Sequence, residues 1–271
     1  MGEHRSGFFE NKVAIVIGGA SGIGAAVCRL LAKERAIVVV ADLDFPRARD
    51  LARELGGTAE AFEVDIADSG SVQSLIEKCA ASRGAIHLLI NSAGVLVQGK
   101  AQTFTDAGWS RVLDINLRGA ATATMAAYRV MLAQGFGHIV NIASLGALNP
   151  PPFSLPYVTS KYGVVGLSIA LRAEARPHGV KVSVACPGNV DTPMLSAVPK
   201  QPSRLTPKIS PSHAAREILR GIRRNRPVIA FPLYARLFWL LERLAPWLSS
   251  LLRSLIVRKS GNDASPAERS L

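Results

Sequence analysis

Lys12-Val13-Ala14-Ile15-Val16-Ile17-Gly18-Gly19-Ala20-Ser21-Gly22-Ile23-Gly24 is the stretch on which the fold turns. An apolar run of strand length ends in a glycine cluster and enters a segment of helical period, Ile23 to Arg35. Glycines at such a junction let the backbone turn sharply and approach a pyrophosphate, whose charge is stabilised by free N–H groups and the helix dipole. A glycine turn can also serve packing alone. Asp42 argues for the ligand: it closes the next apolar run, Ile37 to Ala41, where its carboxylate can accept from an adenosine ribose diol and repel a 2′-phosphate. NAD is therefore expected over NADP, although Arg47 and Arg49 lie close enough to keep NADP open, and Asp42 also suits the cap of the next helix.

Working outward, apolar runs at 12–17, 37–41, 59–64, 86–90, 137–143, 180–185 and 227–231 alternate with segments of helical period. The latter are Ile23 to Arg35, Pro46 to Leu55, Ser69 to Ser82, one long helix from Asp106 to Gln134, Pro156 to Arg176 and Pro211 to Arg224. That alternation predicts an α/β fold: a doubly wound parallel sheet of the Rossmann kind, with about seven strands. Ligands of such sheets bind beyond the carboxyl ends of the strands. The residues found there include the glycine turn with Ser21, then Asp42, Asp65, Asn91 with Ala93 and Gly94, Ser144, and Pro187-Gly188-Asn189 with Thr192.

The chain of 271 residues, 48% hydrophobic and 19% charged with scattered Gly and Pro, excludes disorder, collagen-like repeats and coiled coil as the main theme. Its length suits one large domain with an appendage, read as a dinucleotide-binding and catalytic domain over 1–232, a helical extension over 233–259 and a polar tail over 260–271. Cys28, Cys79 and Cys186 lie far apart, and the five histidines show no ligand spacing, so neither a disulfide framework nor a metal is expected. The opening residues carry Glu3 and Glu10 without an apolar core, and Gly7 stands where myristoylation wants Ser or Thr, so a cytoplasmic protein is expected. The formal charge is +12, and residues 204–259 hold 12 of the 32 Lys and Arg against Glu217 and Glu242 alone. Basic residues mixed with Leu and Trp point to a membrane surface rather than to nucleic acid, for which no reader motif is present.

With these residues in view, positions 10 to 232 resemble the short-chain dehydrogenase/reductase family. Gly18, Gly22 and Gly24 are similar to its T-G-x-x-x-G-x-G turn, with Ile17 in place of Thr. Asp65 before Ile66 resembles the adenine contact, and Asn91-Ser92-Ala93-Gly94 resembles N-N-A-G with Ser for the second Asn. Asn116, Ser144, Tyr157 and Lys161 match the family's catalytic tetrad, and Pro187-Gly188 through Val190 to Thr192 match its nicotinamide loop. The resemblance implies that Lys161 and Tyr157 also contact the cofactor, that Asn116 holds a water relaying protons from Lys161, and that the chain forms a dimer or tetramer through its two long helices.

The chemistry of these positions can also be argued directly. Alcohol oxidation by a nicotinamide needs a base for the hydroxyl proton, and a free tyrosine, with a pKa of about 10, is a poor one. Lys161 lies one turn after Tyr157 on the same helix face, where an ammonium would lower that pKa; Pro156 suits the first helical position and puts Tyr157 at the helix start. Ser144 ends a strand and can donate to the substrate oxygen. Tyr162 faces elsewhere and is read as packing. Substrate identity is expected in Leu145 to Leu155 and Val190 to Ile209, where Met194, Leu195 and Val198 suggest an apolar wall and a lipophilic secondary alcohol or ketone. The competing class is a catalytically silent protein that senses NAD or scaffolds a partner.

Charges interrupt Leu233 to Val257 too often for a bilayer span. It reads as an amphipathic helix pair kinked at Pro246, with Arg236, Arg243, Ser250 and Ser254 on a polar stripe. Opposite lies a broad face of Leu237, Phe238, Leu241, Leu244, Leu248, Leu251 and Leu255. With Trp239 and Trp247 this suits peripheral contact with a membrane; the alternatives are a subunit interface or a shield over the substrate pocket.

Overall fold

The computed structural model describes residues 7–196 and 206–262; the readings that fall on residues 1–6, Val198, Arg204 and 263–271 lie outside it. The strands are β1 (Val13–Ile17), β2 (Ile37–Asp42), β3 (Glu60–Glu63), β4 (Leu88–Asn91), β5 (Gly137–Ile142), β6 (Val180–Pro187) and β7 (Val228–Phe231), each within two residues of its expected ends. They form one parallel sheet in the order β3-β2-β1-β4-β5-β6-β7. The order reverses between β1 and β4, which makes their carboxyl ends the crevice of a doubly wound sheet. Ile17 pairs with both Ala41 and Asn91, so Gly18, Asp42 and Ser92 leave the sheet at one level.

Alternation along β1 shows how the layers are built. Ala14 and Val16 pack against α1 (Gly22–Lys33), α2 (Phe45–Leu55) and α8 (Pro211–Arg223), whereas Ile15 and Ile17 pack against α3 (Ser69–Arg83), α5 (Ala120–Gln134) and α6 (Leu155–Ala175). Both faces are covered, which is why the central strands read as unbroken apolar runs. Asp44, Asp68, Thr105 and Ser210 cap α2, α3, α4 (Asp106–Leu113) and α8 by accepting a first-turn N–H. Asp42 is thus not the cap of α2. Ser21, at the start of α1, makes no side-chain cap bond.

Two expectations change. The long helix from Asp106 to Gln134 is divided: a wide π-type turn, Asp114–Gly119, separates α4 from α5. The Asn116 amide explains it, donating to the Val95 carbonyl (2.9 Å) while its oxygen accepts the Val95 N–H (2.7 Å), a side-chain pairing that the extra residue in the turn accommodates. After α7 (Pro193–Ser196), α8 and β7, the chain continues through α9 (Leu233–Leu244) and α10 (Pro246–Asn262), broken at Pro246 as read, with residues 260–262 helical rather than tail. Their broad leucine face is split. Phe238, Leu241 and Leu248 turn inward, but Leu237, Leu244 and Leu251 stay exposed beside Arg236 and Arg243. The buried side is instead Tyr234, Ala235, Phe238, Trp239 and Glu242, because α9 is held by β7 and the active-site loops rather than by its most apolar stripe. No helix among the described residues is long and apolar enough to cross a membrane.

Candidate active site

A cleft of about 1330 Å³ opens at the carboxyl ends of the strands. Every residue read from the sequence as a cofactor or catalytic group lines it, except Gly24, Asn91 and Asn116. Gly24 is structural: a Cβ there would lie 2.0 Å from the Gly18 carbonyl oxygen. Asn91 lies beneath the cleft, donating to Asn141 Oδ1 at 2.7 Å within a buried network that includes Thr124. Asn116 is also buried; besides Val95 it reaches Ser160 Oγ (3.1 Å), whose hydroxyl donates to the Tyr157 carbonyl. These partners take both amide hydrogens and one lone pair of the Asn116 oxygen.

At the dinucleotide end, Gly18 has φ 76° and a Cβ would stand 2.4 Å from the Ala93 nitrogen, so only glycine fits the turn. Asp42 accepts the Ala20 N–H (2.9 Å) through one oxygen and the Asp44 N–H (3.1 Å) through the other, tying the turn to β2 while it faces the cleft. The first turn of α1 has no acidic residue and, unlike α2, α3, α4 and α8, no side-chain cap. Uncapped N–H groups at a helix start fit a phosphate, and a carboxylate at the end of β2 fits a ribose diol, so the residues present suit a dinucleotide.

At the other end Ser144 accepts the Gly146 N–H (3.0 Å), which leaves its own hydroxyl proton free to donate. Tyr157 lines the same cleft wall as Ser144 and Lys161. Burial raises the phenol's pKa above its usual value, and the Ser144 contact opposes that rise. Lys161 is buried with its Nζ 5.8 Å from the Tyr157 ring centre, donating to the Ile142 carbonyl (3.0 Å); burial pushes its pKa down to about 8. In the protein alone desolvation dominates both groups, so the net shift of the phenol is upward despite the amine one turn away. Gly94 leaves room beside Lys161 Nζ and Asn116 Oδ1, where a Cβ would come within 3.4 and 3.1 Å.

The substrate end is walled by Leu96, Leu145, Phe153, Met194 and Leu195. Sequence reasoning missed the contribution of α9 and α10. The Tyr234 hydroxyl accepts the Asn189 N–H at 2.9 Å and fills the space that a side chain at Gly188 would need. Phe238 and Arg253 line the cleft, and Arg253 pairs with Glu242, which Asn149 also reaches. The Tyr234–Phe238 spacing, which brings the tilted rings to 6.0 Å between centres, was the available signal. Among the described residues no group of three or more His, Cys, Asp or Glu could hold a metal ion, and all three cysteines are free and buried.

Residues 12–203 match the model of the short chain dehydrogenases. The chain belongs to the short-chain dehydrogenase family. Among relatives of this dehydrogenase, the D-threitol dehydrogenase of Mycolicibacterium smegmatis is 40% identical over 66% of this chain and 70% of its own length. The cyclohexanol dehydrogenase of an Acinetobacter species is 34% identical over 69% of this chain and 76% of its own. The crystal structure of 3-ketoacyl-(acyl-carrier-protein) reductase from Brucella melitensis complexed with NADH superposes with a TM-score of 0.77 at 26% identity, covering 81% of this chain and 96% of that one. The dehydrogenase is an oxidoreductase of alcohol and carbonyl groups that uses a nicotinamide cofactor, and the silent sensor is not favoured. The matched span ends before α8, so the C-terminal helices fall outside it.

Proposed function

We propose that the enzyme interconverts a hydrophobic secondary alcohol and its ketone with NAD(H), Tyr157 acting as general acid and base. The observation that carries this is the convergence of Ser144, Tyr157 and Lys161 on one cleft whose substrate end is walled mainly by apolar side chains. A nicotinamide cofactor, which the glycine turn at 18–24, Asp42 and the loop at 187–192 would hold, would supply the hydride acceptor or donor. In oxidation Tyr157 must act as its phenolate, its own proton having first left to solvent; it then takes the alcohol proton, and Ser144 donates to the substrate oxygen as negative charge develops there. In reduction the raised phenol pKa keeps Tyr157 protonated and ready to donate. Lys161 supplies a cation beside the phenol, and Asn116 fixes the backbone of the Val95 segment across from it.

The preference for NAD rests on Asp42, since a 2′-phosphate would have to approach its carboxylate. Homo-oligomerisation through the two long helical regions is supported by exposed Leu132 on α5 and Ile169 on α6. The reading also assigns residues 1–232 to cofactor binding and catalysis, in the cytoplasm, and gives residues 233–259 peripheral contact with a membrane surface. A panel of aliphatic and alicyclic alcohols and ketones, followed by NADH absorbance, tests the reaction. Tyr157→Phe should lower turnover by about 10² to 10⁴-fold. Turnover unchanged by that substitution overturns the mechanism.

A further inference from the structure

α9 carries two unlike faces at helical spacing. Inward, Tyr234, Phe238 and Glu242 are wired to the cleft, through Asn189, the cleft wall and Arg253 with Asn149 respectively. Outward, Leu233, Leu237, Leu240 and Leu244 each leave more than half of their surface in solvent, and Trp247 continues the patch at the start of α10 with 71% of its surface exposed. Half of the large apolar side chains exposed among the described residues lie between Leu233 and Val257. A patch of that size on a single chain marks an interaction surface.

The charges say what covers it. Arg236 and Arg243 are both exposed beside these leucines, Arg236 with its Nε on the Ala230 carbonyl and Arg243 over the half-buried Trp239 ring, while Glu242, the only acidic residue in α9 and α10, turns inward and is neutralised by Arg253. Leucines, an indole and arginines with no outward carboxylate match an anionic lipid surface, with side chains sinking to the acyl boundary and guanidinium groups at the headgroups. A second copy of the chain would present the same positive charge to itself across a symmetric contact.

We infer that α9 and α10 rest on an anionic lipid surface, and that the lipophilic alcohol or ketone passes from that surface into the cleft roofed by their inner face. This rests on the substrate class and membrane contact proposed above and adds the charge of that lipid surface and the route by which it supplies the substrate.

The full-length enzyme, incubated with vesicles of phosphatidylglycerol and phosphatidylcholine, should sediment with them and not with pure phosphatidylcholine. A variant combining Leu237→Glu, Leu244→Glu and Trp247→Glu should bind the anionic vesicles about tenfold more weakly or worse. It should keep wild-type oligomeric state and wild-type turnover of a short, water-soluble alcohol. Turnover of a long-chain secondary alcohol dissolved in the vesicles should fall in the variant alone. Failure of the wild type to sediment overturns the lipid partner, and so does a change of oligomeric state in the variant, which would show the face to be a subunit contact. Vesicle binding without any difference between the two enzymes on the long-chain alcohol overturns the supply route. Absence of turnover on every alcohol and ketone, with sedimentation intact, defeats the proposed substrate class and not the lipid partner.

Discussion

Lys161 carries its ammonium between β5 and α6 with one carbonyl for company, and burial lowers its pKa from 10.5 to about 8. In the interval between those values the unfolded chain binds more protons than the folded one, so stability rises with pH there. Below about pH 8 both states are protonated and the fold carries the whole cost of the buried charge, an upper bound of about 3 kcal/mol. Removing the amine relieves that cost and forfeits one hydrogen bond to Ile142, worth about 1 kcal/mol. Lys161→Met should therefore melt at or above the wild-type temperature near neutral pH while losing catalysis, and its advantage should shrink as pH is raised to about 10. Thermal unfolding of both proteins at the two pH values checks this; an advantage that stays constant removes the buried charge as its cause. The four-residue step from Tyr157 to Lys161 was legible because one helical turn is a local property. The direction of the tyrosine shift was not, since it depends on how much protein closes over the ring.

At the scale of elements, what could be read was what the chain decides locally. The strands were apolar runs ending in Gly, Asp, Asn or Ser, and the sheet placed those ends together. The π-type turn escaped because its cause, Val95, lies 21 residues before Asn116 and pairs with it only in the folded state. The orientation of α9 escaped for a similar reason: its most apolar stripe is not the side that is buried. The missing side chain at Gly188 admits Tyr234, and Arg236 ties the helix to the Ala230 carbonyl of β7 at 2.8 Å. Tyr234 thereby links the C-terminal helices to the loop that follows β6. Tyr234→Phe deletes the acceptor for Asn189 N–H and keeps the ring against Phe238, so it should loosen the loop without unseating the helix. NADH affinity, followed by nucleotide fluorescence, should weaken about three- to tenfold while the melting temperature moves by only a few degrees, as loss of one partly exposed hydrogen bond implies. Unaltered NADH affinity would mean that the loop is positioned without this hydroxyl.

Across the whole molecule, the acid response of the fold is expected to centre on one buried imidazole in the sheet. His138, on β5, is buried between the helix layers and hydrogen-bonds through Nε2 to Ser183 Oγ of β6 at 2.9 Å. Ser183 spends its own proton on the Arg226 carbonyl (2.6 Å), so it must accept from His138, and Nδ1 is the nitrogen left without hydrogen. Burial first, and then the charges of Lys181 and Arg172, push the imidazole pKa down to about 3. Above about pH 6.5 His138 is neutral in both states and contributes nothing against folding. As pH falls from there toward about 3 the unfolded chain takes up a proton that the folded sheet refuses, so stability declines, by an upper bound of about 5 kcal/mol. A chain already at +12 gains little from carboxylate protonation to offset this, because added positive charge repels itself in the compact state. His138→Gln keeps a donor for Ser183 and has no proton to gain. Its urea midpoint should lie somewhat below the wild type near neutral pH and fall less steeply on acidification, so that the two curves converge toward about pH 4. Midpoints that run parallel over that range would remove His138 as the group that limits the fold in acid.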